Sequence, residues 1–170
     1  PQERVRELTE LEEQKLFSTL RPDYHAIVRF ALLSGCRLEE CVSLTWPRID
    51  WGGRRILVHG KGQRVDTIPL SAALRELLWP LQAGGDPVHV FTYLTASAAG
   101  GHRRGERRPI TLEGLKTTWR RAIKRSGIVD FRFHDNRHTA ATRLLRKTGN
   151  LVLVQKLLRH GDIATTRRYA

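Results

Sequence analysis

The spacing of apolar residues changes partway along this chain, and the change limits the folds open to it. Up to about residue 45 the apolar positions suit helices, as at Ile27, Phe30, Ala31 and Leu33. From Trp46 to Pro69 they fall into short β-like runs: Trp46–Trp51, Arg55–His59 and Arg64–Pro69. Gly52-Gly53 and Gly60-Lys61-Gly62 separate these runs. Three short runs joined by glycine turns predict a three-stranded antiparallel meander. After Ser71 the helical spacing returns. The expected class is therefore α+β, mainly helical, with a small sheet. A length of 170 residues suits one domain with a sizeable core, and no internal repeat or interdomain linker is visible.

Local signals set the expected element ends. Thr9-Glu10-Leu11-Glu12 is a capping box and predicts a first helix from about Glu10 to Leu20. Pro22 and Asp23 open a second, which ends at Gly35, and a third should run from Arg37 to about Leu44. Ser71 caps a helix reaching about Trp79. The stretch 84–109, rich in Gly, Ala, Arg and His, reads as a loop with one short strand at Val88–Thr92. Pro109-Ile110-Thr111 leads into a long helix ending near Gly127, with Arg120, Arg121, Lys124 and Arg125 on its outer surface. His134–Thr148 is helical until Gly149-Asn150 stops it, and Leu151–Leu158 forms another helix. Gly161-Asp162 breaks the chain and caps a last helix, which carries Tyr169.

Thirty Lys and Arg against seventeen Asp and Glu give a net charge of +13, which favours a polyanionic partner over a merely soluble basic surface. No apolar run approaches the roughly 18 residues of a membrane helix, and no signal peptide is visible. Cys36 and Cys41, read as sharing one helix, would point away from each other, so no disulfide is expected. Reduced thiols fit the cytoplasm. The chain lacks methionine and begins at Pro1, so it is expected to be a piece of a longer protein.

Two arginines stand out. Arg137 precedes Ala141, Leu144 and Leu145 by four, seven and eight residues, so it shares their inward face. Arg37 stands likewise above Cys41 and Leu44, with Glu40 one turn on. Buried arginines need partners. Glu40 can serve Arg37, while Arg137 has no acid three or four residues on along its own helix, which favours a partner from elsewhere. Two inward arginines suggest a pocket for an anion, since the guanidinium suits bidentate phosphate contacts. His134 and His138 have helical metal-ligand spacing, but Arg137 stands between them where a general-base glutamate would be needed, so no metal is expected. Lys61 alone reads as a solvated turn lysine, and Tyr169 alone as a packing residue.

Taken in order, these segments resemble the tyrosine recombinase, or phage integrase, family. SGCRLEE resembles its first arginine box, with Arg37 at the catalytic arginine and Glu40 at the acidic neighbour. LTWPRID and HGKGQRVDTIPLS resemble its β-meander, with Lys61 at the catalytic lysine. HDNRHTAAT places His134 and Arg137, and LLRHGDIATTRRY places His160 and the nucleophile Tyr169. Asn136 stands where leucine is common, and Arg159 where glycine usually precedes the histidine; the latter either crowds the turn or adds a phosphate contact. The resemblance implies a catalytic-domain fold over residues 1–170, lacking the family's N-terminal DNA-binding domain and its C-terminal tail.

It also implies an enzyme that breaks and rejoins DNA without metal, cofactor or ATP. Arg37, Arg137 and His160 would clamp the phosphate, Tyr169 would attack, His134 would take the proton and Lys61 would protonate the leaving oxygen. Arg120, Arg121, Lys124 and Arg125, with Arg103, Arg104, Arg107 and Arg108, are candidates for salt-sensitive contacts to the DNA backbone. The expected partners are double-stranded DNA and three further protomers in a synapse, in a bacterial or phage-encoded cytoplasmic protein. The alternatives are a type IB topoisomerase-like enzyme and a non-enzymatic helix-turn-helix DNA-binding module.

Overall fold

The structure, a computed structural model, describes residues 4–160 and 163–170, with backbone alone at Lys61 and Ile163. Helix α1 (Glu10–Thr19) starts at the expected capping box: the Glu12 amide donates to Thr9 Oγ1 at 3.1 Å and the Thr9 amide to Glu12 Oε1 at 3.1 Å. A 3-10 turn at Pro22–Tyr24 leads into α2 (His25–Ser34), which buries Ile27, Val28, Phe30 and Ala31. Gly35 ends α2 with φ +68°, and a Cβ there would meet Leu158 Cδ2 at 3.3 Å, so the position suits glycine on both counts.

After α3 (Leu38–Val42) comes the predicted meander, β1 (Ile49–Asp50), β2 (Arg55–His59) and β3 (Val65–Pro69), antiparallel in the order β1-β2-β3. Ile56 opposite Ile68, and Val58 opposite Asp66, set the register. Ile56, Val58 and Ile68 face the core while Arg55 and Leu57 face out, which is the alternation of a sheet covered on one side. Helix α4 (Ala72–Leu78), capped by Ser71, continues as a 3-10 turn. Strands β4 (Thr92–Leu94) and β5 (Arg107–Pro109) then form a two-stranded ribbon. Helices α5 (Leu112–Ser126), α6 (Asp135–Thr148), α7 (Leu151–Leu158) and α8 (Ile163–Thr166) follow, and a 3-10 turn carries Tyr169.

Some expected boundaries moved. The first strand shrinks to two residues because Trp46–Arg48 is a 3-10 turn containing Pro47, which has no amide to give a ladder. Helix α3 starts at Leu38, so Arg37 is its N-cap, and Cys36 precedes the helix. Residues 84–109 are not a plain loop, since β4 and β5 pair there; within Val88–Thr92, His89 bridges to Thr45 and only Thr92 enters a strand. Gly161-Asp162 lies outside the described residues.

The main core gathers Leu16, Ile27, Phe30, Leu44, Ile56 and Leu115 among others from α1, α2, the sheet and α5. A second, small cluster unites Ala141, Val154, Leu158 and Tyr169, so the terminal turn packs against α6 and α7. Both cysteines are free and buried, and burial raises the Cys36 thiol to about 11 and that of Cys41 well above its ordinary value. Among the described residues no helix is long and apolar enough to cross a membrane.

Candidate active site

The site is built around Arg137. It lies in the first turn of α6, on the inward face the spacing predicted, and is 2% exposed. Its partners are carbonyls: Nη1 donates to Gly35 O at 2.7 Å and Nη2 to Leu158 O. These carbonyls end α2 and α7, where unpaired carbonyls carry the negative end of a helix dipole. The partners come from elsewhere in the chain, as expected, and they are two helix ends. Burial, followed by the charges of Arg37 and Arg159, lowers the Arg137 pKa to about 10, with Glu40 opposing. An anion set among these cations would be strongly favoured.

Arg37 does not share the inward face. As an N-cap in extended conformation it leaves its side chain 50% exposed, with Nη1 3.9 Å from Glu40 Oε1. Its amide donates to the same oxygen at 2.7 Å. Arg37, Glu40, His134 and Arg159 line an open cleft of about 590 Å³ together with His59, Gly60, Arg64 and Asp66 of the β2–β3 hairpin. Lys61 belongs to the 3-10 turn at the tip of this hairpin, closed by the Gly60 amide donating to Arg64 O at 2.7 Å. Its side chain is outside the described part of the structure.

His134 stands exposed at the rim, its pKa lowered by partial desolvation and then by Arg137 and Arg37. His160 follows the end of α7, with Nδ1 2.9 Å from Thr166 Oγ1. Burial first, then Arg137, Arg168 and Arg37, press its pKa to about 4. Both arginines act on both histidines, so the four groups occupy one electrostatic neighbourhood. Tyr169 is 8% exposed, and its hydroxyl is 2.6 Å from His138 Nδ1. His138 is held neutral, with a pKa of about 4, by burial, His134 and Arg168.

Sequence reasoning weighed His138 only as a metal ligand. Its place directly after Arg137 was the available signal for a role beside Tyr169. Its Nδ1 faces Tyr169, and among the described residues no group of three or more His, Cys, Asp and Glu side chains could hold a metal.

Arg159 neither crowds the turn nor stands ready for a phosphate. It ends α7 with φ +59°, and its guanidinium forks onto Glu40, with Nη2 2.7 Å from Oε1 and Nη1 bonded to Oε2. The candidate DNA-contact residues lie elsewhere on the surface. Arg120, Arg121, Lys124 and Arg125 are exposed along α5, and Arg103 and Arg104 are exposed before β5. Arg107 donates to Thr92 Oγ1 at 2.8 Å, and Arg108 is 3.4 Å from Glu106. None of the eight lines the cleft.

Comparison with known proteins identifies the family and the fold. The phage integrase family model matches residues 4–170. The integrase of Salmonella phage P22 is 30% identical over 98% of this chain and 44% of its own length. The tyrosine recombinase XerC of Staphylococcus carnosus (strain TM300) is 30% identical over 94% of this chain and 55% of its own. The Tn1549 transposon integrase, in complex with a circular intermediate DNA, shares the fold with a TM-score of 0.70 at 19% identity, covering 98% of this chain and 62% of that one. The chain spans about half the length of the curated relatives it matches. By its sequence, its fold and the family match, this chain is a member of the phage integrase family.

Proposed function

We propose that this chain is the catalytic domain of a site-specific DNA recombinase that cuts and rejoins strands through a 3′-phosphotyrosyl intermediate. The carrying observation is Arg137, whose bonds to Gly35 and Leu158 bring the Arg37 segment and the His160 turn together while the next residue, His138, holds the phenol of Tyr169. Arg37, Arg137 and His160 neutralise the non-bridging oxygens, a task at which loss of one donor costs about 3–4 kcal/mol. A tautomer of His160 protonated on Nε2 lets Thr166 donate to Nδ1 and leaves an N–H for the phosphate.

Tyr169 attacks phosphorus, and its proton passes to His134, directly or through His138. The phosphorus–O5′ bond breaks as Lys61 protonates the leaving oxygen, leaving a 5′-hydroxyl. Attack by a 5′-hydroxyl from another strand reverses the step without ATP. The basic residues of α5 and of 103–108 contact the DNA backbone, and four protomers of the full-length cytoplasmic protein assemble on two duplexes.

A duplex nicked near the scissile phosphate tests this reading. The full-length protein should accumulate a covalent DNA adduct, lose it in Tyr169→Phe, and transfer the strand to a second duplex. Relaxation of supercoils without strand transfer would favour the topoisomerase alternative, and no adduct from the wild type would favour a binding module.

A further inference from the structure

Arg159 is out of place by backbone geometry and well placed by its contacts. Its φ of +59° lies in the left-handed region, where a Cβ is strained and glycine is favoured. A residue held in such a conformation points to a compensating role. Its side chain is 5% exposed and grips both oxygens of Glu40, itself 3% exposed, and it stands 3.8 Å from Asp66 of β3. Glu40 in turn fixes the amide of Arg37. The residue before Arg159 gives its carbonyl to Arg137, and the residue after it is His160. One side chain thus joins the segments carrying Arg37 and His160 to the strand beside the Lys61 hairpin.

We propose that Arg159 is a positioning residue for strand cleavage: it captures Glu40, so that Arg37 is left to the phosphate. The proposal rests on the recombinase reading above. Glu40 has two suitors, with Arg159 forked onto it and Arg37 at 3.9 Å. Remove Arg159, and a buried carboxylate is stranded in the cleft. It then draws Arg37 inward and repels the incoming phosphodiester. Burial pushes the Glu40 pKa up, but the bonds from Arg159 and the Arg37 amide outweigh it and keep the group ionised, so the repulsion is present at neutral pH.

The test is single-turnover adduct formation by the full-length protein on the nicked duplex, at saturating DNA, with the binding constant measured separately. Arg159→Gly suits the left-handed backbone. It should slow adduct formation tenfold or more while changing the binding constant no more than threefold. Glu40→Gln added to Arg159→Gly removes the stranded charge and should recover at least threefold of the lost rate, which a purely structural role for the pair would not give. Arg159→Lys keeps the charge without the fork and should lose threefold or more, and it decides the matter if the glycine variant does not fold. Rates within twofold of wild type in Arg159→Gly, or in Arg159→Lys where that variant decides, would overturn the proposal, as would a double variant no faster than the single one. A wild-type protein that forms no adduct would instead overturn the recombinase reading, and this proposal with it.

Discussion

Asn136 is fully buried, and among the described residues neither its Oδ1 nor its Nδ2 has a hydrogen-bond partner. Leaving a buried polar group unpaired costs about 1–3 kcal/mol. Asn136→Leu keeps the branched shape and the number of heavy atoms and removes both groups, so it should stabilise the fold by about 1–2 kcal/mol in urea unfolding. A lowered midpoint would show that the amide is satisfied. Arg137 beside it was legible in the sequence, because its spacing to Ala141 fixes its face once the helix is granted. Arg37 was misread because a helix start is uncertain by a residue or two, and one residue separates an inward helical arginine from a cap facing the cleft. The Arg159–Glu40 fork joins residues 119 apart in sequence, and no local pattern announces such a pair.

At the scale of elements, the terminal 3-10 turn is docked on α6 through the small apolar cluster and through Tyr169 against His138. That docking is acid-sensitive. His138 and His160 have folded pKa values of about 4 against an ordinary 6.5, so as pH falls the unfolded chain takes up protons first. Their contribution to stability is therefore complete above about pH 6.5 and lost as pH falls through 4. The thermal midpoint should climb over that interval, and the His138 ring, followed by NMR, should titrate well below 6.5. Titration at or above that value would contradict the docked contact. The helices were legible through their punctuation, with the Thr9 box at the start of α1 and Gly35, Gly127 and Gly149 in left-handed caps. The β4–β5 ribbon was not, because Tyr93 opposite Arg108 and Leu94 opposite Arg107 lie in a stretch whose Gly and Arg content reads as loop.

For the whole molecule, the charge of +13 indicated a polyanion but not where it would sit. The cleft gathers its cations from segments far apart in the chain, and burial of Arg137 between two helix ends is what draws them together. The central claim is that this convergence serves one nucleophile. The chain has three tyrosines: Tyr24 is buried in the main core, Tyr93 lies in β4, and Tyr169 stands against α6 with its hydroxyl on His138. The most direct measurement is mass-spectrometric mapping of the nucleotide left on the protein after digestion of the covalent adduct. The account predicts a phosphodiester to the 3′ end of the cut strand at Tyr169. A nucleotide on Tyr24, on Tyr93 or on any other side chain would contradict it.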